Sequence, residues 1–376
     1  MNIAYVALAP FISGSERCLQ LILEQGRNSK DADLILITPK TSPLKDWALS
    51  YGIKHFSVEL ESVDKKKVFR WGWNQLKLIW LLWRNHIDLV HSNQIWSYPV
   101  LGLSAKLLKI KTICHLRDPV TNGSKWWLKP APDSIICISK HIQQEYISHF
   151  GEHYSKSIHT LIDPVAKRSN LEIGELSKKK NQYRTELKLP MDIFLFGYIG
   201  QVAPIKGVLE MLRVLALLPR KDWHLVIAGK DPSKEQLYML ECKTCVAELG
   251  LDNQVTFVGF LENTQTFYYS IDLVLMFSKE EPLGLIPLEA GMHYKPSIAS
   301  AVGGLPETII DSETGWLIDY RNLEDTIGTI SSAMDSDLDK VGIRARTWAY
   351  NTCDPFNYWE KLIHLYQCLH GGKCEE

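Results

Sequence analysis

What this chain lacks narrows its role before any motif is read. No stretch of its 376 residues reaches the roughly 18 uncharged apolar residues of a membrane-spanning helix. The opening run, Met1-Asn-Ile-Ala-Tyr-Val-Ala-Leu8, has no charged leader region, long apolar core or cleavage site, and reads as a first strand. Charge of one sign is also scarce. A formal net charge of −1 gives no global attraction for nucleic acid, and no such partner is expected. The 8 cysteines are scattered and mostly sit in apolar runs, as at Cys114 and Cys137, which suits reduced, buried thiols. Cys242-Lys-Thr-Cys245 has no second pair and no histidines at zinc spacing, so a metal or redox role is not assigned to it. No Asp-x-Asp stands in a metal-site setting; Asp337 and Asp339 fall in a polar stretch near the C-terminus. No Gly-x-Gly-x-x-Gly follows the first strand, which disfavours a dinucleotide dehydrogenase. The expected location is the cytoplasm.

What is present is an alternation. Short Val/Ile/Leu-rich runs predict strands at 2–8, 33–38, 53–58, 88–91, 111–116, 134–138 and near 158–162, then at 193–199, 223–228, 255–258, 272–277 and 296–300. Helix-length segments separate them, the pattern of parallel sheets covered on both faces. The expected fold is α/β, two doubly wound Rossmann-like domains facing each other across a cleft. Residues 1–165 form the first domain and 191–353 the second. Between them, 166–190 is polar and carries Lys178-Lys-Lys180, which reads as a solvated linker. In 354–376, Phe356, Trp359, Ile363 and Tyr366 share one helical stripe, the mark of a packing helix returning across the cleft.

The most informative stretch is Ser278-Lys-Glu-Glu-Pro-Leu-Gly-Leu-Ile-Pro-Leu-Glu-Ala290. It places Glu281 in the loop after a buried strand and Glu289 about one turn inside the following helix. Between the two carboxylates lie the free backbone N–H groups of a helix N-terminus, a natural anion site. Phosphate suits those N–H groups, and hydroxyls suit the carboxylates. A nucleotide sugar carries both.

Four further segments accompany it: Gly197-Tyr-Ile-Gly-Gln-Val-Ala-Pro-Ile-Lys-Gly207, Val226-Ile-Ala-Gly229, Val255-Thr-Phe-Val-Gly259 and Gly303-Gly-Leu-Pro-Glu307. Each alone is weak. In this order and spacing they resemble the GT-B-fold glycosyltransferases of family 4, the retaining, sugar-nucleotide-dependent group, over nearly the whole chain. The resemblance implies roles. Glu289 would hold the ribose hydroxyls and Glu281 the donor sugar at the catalytic centre. Gly284, Leu285 and Ile286 would offer N–H groups to the sugar and diphosphate, and Lys206 would neutralise the leaving diphosphate. Without that context, Lys206-Gly207 reads equally well as a turn with a solvated lysine. Where the family usually has an arginine, this chain has Gln201, a donor without charge; Lys230 is the alternative cation. The family works without a bound metal or other cofactor, its substrate being a UDP- or GDP-linked sugar.

In the first domain, Phe11-Ile-Ser-Gly-Ser-Glu-Arg17 stands where the family has a glycine-rich loop. Gly14 and Ser15 would approach the diphosphate, or Gly14 would merely open a helix. His115, ending a strand, matches the family's active-site histidine. Arg117 and Asp118 either pair with each other or touch acceptor, and Ser139 is a site residue or a helix N-cap. The implied activity is transfer of a sugar, with retention, to a hydroxyl of a glycan or lipid-linked acceptor in polysaccharide or cell-surface glycan biosynthesis. A nucleotide-sugar epimerase and a catalytically silent sugar-nucleotide-binding partner are the alternatives. Trp71, Trp73, Trp80 and Trp83, preceded by Lys65, Lys66, Lys67 and Arg70, form a basic-aromatic segment. Trp126-Trp127 with flanking lysines forms a second such cluster. Such segments suit peripheral contact with the inner face of a membrane; the other reading turns Leu76, Ile79, Trp80 and Trp83 onto the sheet.

Overall fold

The structure, a computed structural model, describes all residues except 61–67, 122, 168–172 and 372–376, and side chains except those of Val68, Arg70 and Ile173 elsewhere. The chain divides into two compact units, Met1–Ala166 together with Cys353–Glu376, and Lys167–Thr352.

The first unit is built on seven parallel strands: β1 (Asn2–Val6), β2 (Asp33–Thr38), β3 (Lys54–Ser57), β4 (Leu89–Ser92), β5 (Lys111–Leu116), β6 (Ser134–Cys137) and β7 (Ser157–Thr160). Their spatial order is β3-β2-β1-β4-β5-β6-β7, so the winding reverses between β1 and β4. The crossovers are α1 (Gly14–Gly26), α2 (Leu44–Ser50), α3 (Val68–Arg84), α4 (Pro99–Leu107), α5 (Ser124–Trp127) and α6 (Lys140–Phe150). β4 and β6 are buried along their whole length, as strands of a parallel sheet covered on both faces are.

The second unit repeats the plan with β8 (Phe194–Ile199), β9 (Trp223–Ala228), β10 (Val255–Gly259), β11 (Leu273–Met276), β12 (Ser297–Ser300) and β13 (Gly315–Ile318). The order is β10-β9-β8-β11-β12-β13, again parallel, with its reversal between β8 and β11. Its helices are α7 (Ile173–Glu186), α8 (Val208–Ala216), α9 (Leu237–Glu248), α10 (Thr264–Ser270), α11 (Leu285–Met292), α12 (Leu323–Met334) and α13 (Leu338–Cys353). The last helix, α14 (Pro355–His370), belongs to the first unit.

Every strand expected from sequence is present. β13 was not expected; it is four residues long and half-buried at its centre, too short for a clear apolar run. Three expectations are corrected. The polar stretch 166–190 is not a plain tether, because it holds α7. There Arg184 is buried, donates to Asp272 at 2.8 Å and to the carbonyls of Ser270, Met191 and Ile193, while Lys180 pairs with the same carboxylate. A guanidinium satisfied on so many sides turns a charged residue into an anchor for the unit's edge. On α14, Phe356 is exposed, whereas Trp359, Ile363 and Tyr366 enter the first unit's core as expected. The Trp359 ring packs so closely on Gly26 that a Cβ there would lie 2.5 Å from it. Cys368 on α14 is disulfide-bonded, against the expectation of thiols throughout; Cys18, Cys114, Cys137, Cys242, Cys245 and Cys353 are free and buried.

Candidate active site

Open parallel sheets bind ligands outside the carboxyl ends of their strands, where the winding reverses. In the second unit that place is built by the loops after β8, β9, β11 and β12. Backbone bonds join them: Val202 N–H donates to the Lys230 carbonyl at 3.0 Å, Lys279 N–H to Ile205 at 2.8 Å, and Gly304 N–H to Glu281 at 2.9 Å. The Ser300 hydroxyl adds a bond to the Ser278 carbonyl at 2.5 Å. Loops cross-linked in this way hold their side chains with little freedom to move.

Glu281 leaves this network half-buried, and its Oε2 accepts from Lys206 Nζ at 2.6 Å and from Ser278 Oγ at 3.3 Å. Lys206 ends the short 3-10 turn Pro204–Lys206 that opens α8, so β8 and β11 each contribute one partner of the ion pair. Glycine is required on both sides of Glu281. Gly284 caps α11 at φ +89°, where a Cβ would meet Leu305 at 2.4 Å. Gly303, at φ +56°, lies so close that a Cβ would sit 2.0 Å from the Glu281 carbonyl oxygen. Leu285 and Ile286 follow as the first residues of α11, with N–H groups that have no partner inside the helix.

Glu289, within α11, accepts from the Tyr268 hydroxyl at 2.8 Å. Tyr268 itself is buried and stacks on His293, whose Nδ1 lies 2.8 Å from the Glu289 carbonyl. The sequence gives no sign of Tyr268 or Ser278 as partners of the two carboxylates, since neither lies in a phosphate- or sugar-binding pattern. Gln201 is exposed and contributes its carbonyl to Tyr198. Lys230 is exposed as well, with Nζ 5.1 Å from the Phe260 ring centroid. The second unit thus brings Glu281, Lys206, Gly284, Leu285, Ile286 and Glu289 onto one set of joined loops.

The first unit's expected residues lie differently. Gly14 and Ser15 open α1; Gly14 has open space around it and a negative φ, so a helix start accounts for it. Ser15 Oγ accepts from Gln94 Nε2 at 2.8 Å and donates to Glu16. Ser139 caps α6 through Ile142 N–H at 3.1 Å. Arg117 does not pair with Asp118. It is buried, forks onto Asp163 at 2.6 and 2.9 Å, and also reaches Asn93. His115, at the end of β5, is fully buried. Its Nε2 lies 3.5 Å from Asp163 Oδ1, too far for a good hydrogen bond to a carboxylate already forked by arginine. Burial, then the Arg117 charge, then His91 hold the His115 imidazole well below its ordinary pKa, and His91 is depressed by burial and Arg117. Both rings are therefore neutral. His91 Nδ1 bonds the Tyr366 hydroxyl at 2.6 Å, which meets Tyr5 at 2.6 Å.

Among the described residues, no group of three or more His, Cys, Asp or Glu is arranged to hold a metal.

Comparison with known proteins agrees with this architecture. Residues 12–165 match the model of Glycosyltransferase Family 4, and residues 179–352 that of Glycosyl transferases group 1. The chain belongs to the GT-B glycosyltransferases of family 4. It is 27% identical to the D-inositol 3-phosphate glycosyltransferase of Corynebacterium efficiens over 68% of this chain and 64% of that protein. The enzyme of that name from Mycolicibacterium smegmatis is 34% identical over 40% of this chain and 35% of its own length. The chain thus spans less than two thirds of these relatives. Among solved structures, Anabaena HepE in complex with UDP and glucose superposes with a TM-score of 0.80 at 19% identity, covering 98% of this chain and 100% of that one. A glycosyltransferase from Rickettsia africae gives 0.82 at 19% identity, covering 99% of each. Likeness at such identity shows the fold.

Proposed function

We propose that this chain is a retaining glycosyltransferase that moves a sugar from a nucleoside diphosphate sugar to a hydroxyl of a glycan or lipid-linked acceptor. The observation that carries the reading is the Lys206–Glu281 pair at 2.6 Å, seated beside the N-terminus of α11 where the second sheet reverses its winding. A diphosphate placed on the free N–H groups of Leu285 and Ile286 would lie within reach of Lys206 and compete with Glu281 for its ammonium. Glu281 would then turn its oxygens to the donor sugar's hydroxyls, and Glu289 would hold the ribose.

In the transfer, the bond from the anomeric carbon to the leaving phosphate oxygen breaks as the acceptor oxygen attacks on that same face. The acceptor proton passes to the departing phosphate oxygen, so charge balances without a separate base. Lys206 acts on the charge that grows on the diphosphate, which makes it a transition-state group. No metal or other cofactor is required in this scheme. UDP is the first nucleotide to test, because HepE was crystallised with it. GDP is the second. The relatives' name, D-inositol 3-phosphate glycosyltransferase, makes a polyol hydroxyl a reasonable acceptor class. Such an enzyme would serve polysaccharide or cell-surface glycan assembly from the cytoplasmic side.

The test is a thermal-shift screen of UDP, GDP and ADP sugars in excess chelator, followed by product analysis with and without acceptor. A donor at 100 times its Kd adds about 2.7 kcal/mol of stability. Donor-dependent stabilisation and an axial or equatorial linkage matching the donor's own configuration support the reading. Interconversion of free nucleotide sugars without acceptor would assign an epimerase, and activity only after magnesium is restored would overturn the metal-free scheme.

A further inference from the structure

We propose that the outer face of α3 is a docking surface for an anionic lipid bilayer. This deepens the reading of a lipid-linked acceptor, yet it rests on a separate observation and needs no donor to be tested. On α3, Phe69, Trp73, Leu76, Trp80 and Trp83 are 96%, 61%, 60%, 62% and 63% exposed. Their spacing of four, three, four and three residues puts them on one face of a helix, a stripe about 20 Å long. The opposite face buries Gln75, Leu78, Leu81 and Leu82. Gln75 fixes α3 to α4 by donating to the Val100 carbonyl at 2.9 Å and accepting from Ser104 Oγ at 2.6 Å. The stripe is therefore turned outward by packing. Together its side chains leave on the order of 500 Å² of apolar surface in water, at or beyond what a soluble monomer usually exposes in one patch.

The charges beside this face identify its occupant. Neither α3 nor α4 contains an acidic residue. Lys77 Nζ stands 5.7 Å from the Trp73 ring centroid. Arg84, next to Trp83 on α3, and Lys106, on the packed helix α4, are exposed as well. Protein interfaces are enriched in aromatic residues but depleted in lysine. A two-fold contact between copies would set this cationic face against itself. Aromatic rings at headgroup depth with lysines beside them meet an anionic lipid surface with both terms favourable. Lys65, Lys66 and Lys67, which the sequence placed in the same segment, lie outside the described residues and are not needed here.

The experiment is co-sedimentation of the full chain with phosphatidylglycerol–phosphatidylcholine vesicles and with pure phosphatidylcholine vesicles, without nucleotide, at low salt. Wild type should partition at least tenfold more strongly onto the anionic vesicles. W80S/W83S should lose at least tenfold of that partition, and K77E/R84E/K106E a similar amount, both with unchanged circular dichroism and melting temperature. Because the tryptophans are exposed, their replacement should not disturb folding; if either variant unfolds, blue shift and quenching of wild-type tryptophan emission by brominated lipid supply the same answer. Failure of wild type to bind anionic vesicles, or equal binding by W80S/W83S, overturns the proposal. So does light scattering that finds a wild-type dimer converted to monomer by W80S/W83S, which would make the stripe a contact between copies. A donor site that fails calorimetry would leave this result untouched.

Discussion

The two sheets reverse their winding at equivalent places, yet they use polar residues there in opposite ways. At the β1/β4 reversal, the polar groups are largely buried and bond mainly to one another, with Glu16 Oε1, Asn93 Nδ2 and Gln94 Oε1 left without a hydrogen-bond partner among the described residues. Gln94 bonds Ser15, Ser15 bonds Glu16, and the nearby Arg117 on β5's extension is consumed by Asp163. At the β8/β11 reversal, Lys206 and Glu281 are half-buried, and Gln201 and Lys230 stand exposed. A charge fully paired inside the protein is architecture; a charge held at the mouth of a joined set of loops is available to a ligand. The doubly wound plan alone does not decide which applies. Burial does.

That contrast can be broken by substitution. The largest effect is expected for Arg117→Ala, which leaves the Asp163 carboxylate buried and unpaired, 2.9 Å from where the guanidinium stood. Losing one partner of a buried pair costs about 3–5 kcal/mol. Urea unfolding should show it; a loss under about 1 kcal/mol would mean that water reaches Asp163. Lys206→Ala should do the reverse. It should lower kcat by roughly 100- to 1,000-fold, the scale of a lost transition-state donor, while stability changes by about 1 kcal/mol or less. Loss of stability with intact kcat would place Lys206 with the architecture.

A pH series sharpens the same comparison. His91 and His115 have folded-state pKa values below their unfolded values, so the unfolded chain binds more protons as pH falls through the ordinary histidine range. Stability is then fully present above about pH 6.5 and lost as pH falls below it, by up to ~1.4 kcal/mol per pH unit for each histidine. Urea midpoints at pH 8, 7, 6 and 5 should decline in step; a flat profile would mean that one ring gains a partner on protonation. The smallest effect belongs to Gln201→Arg. A cation at this exposed position should tighten nucleoside diphosphate binding by about 1 kcal/mol or less, and unchanged affinity would show that the side chain faces away from the phosphates.

The sequence was most legible where backbone and function demand the same residues. Buried strands needed continuous apolar runs, and the loops around Glu281 needed Gly284 and Gly303 in left-handed conformations. It was least legible where a side chain's environment comes from distant segments. His115 follows the expected strand, but the ring it packs on, His91, bonds Tyr366 of α14, 275 residues further along the chain. Tyr268 reaches Glu289 from another helix, and no local spacing announces it. Lys178-Lys-Lys180 looked like a tether because its partner, Asp272, is far away in sequence. The tryptophans of α3 had apolar spacing suited to either a core or a surface; only the position of α4 against Gln75 decides that they face outward.

The central claim is that the joined loops of the second unit bind a nucleoside diphosphate sugar, with Glu289 on the ribose. Calorimetric titration of UDP- and GDP-sugars into wild type and Glu289→Ala tests it most directly. Wild type should bind one of these donors, and Glu289→Ala should bind it roughly 5- to 100-fold more weakly, the scale of one charged hydrogen bond. Equal affinity in the two proteins, or no binding of any nucleotide sugar by wild type, would contradict the account.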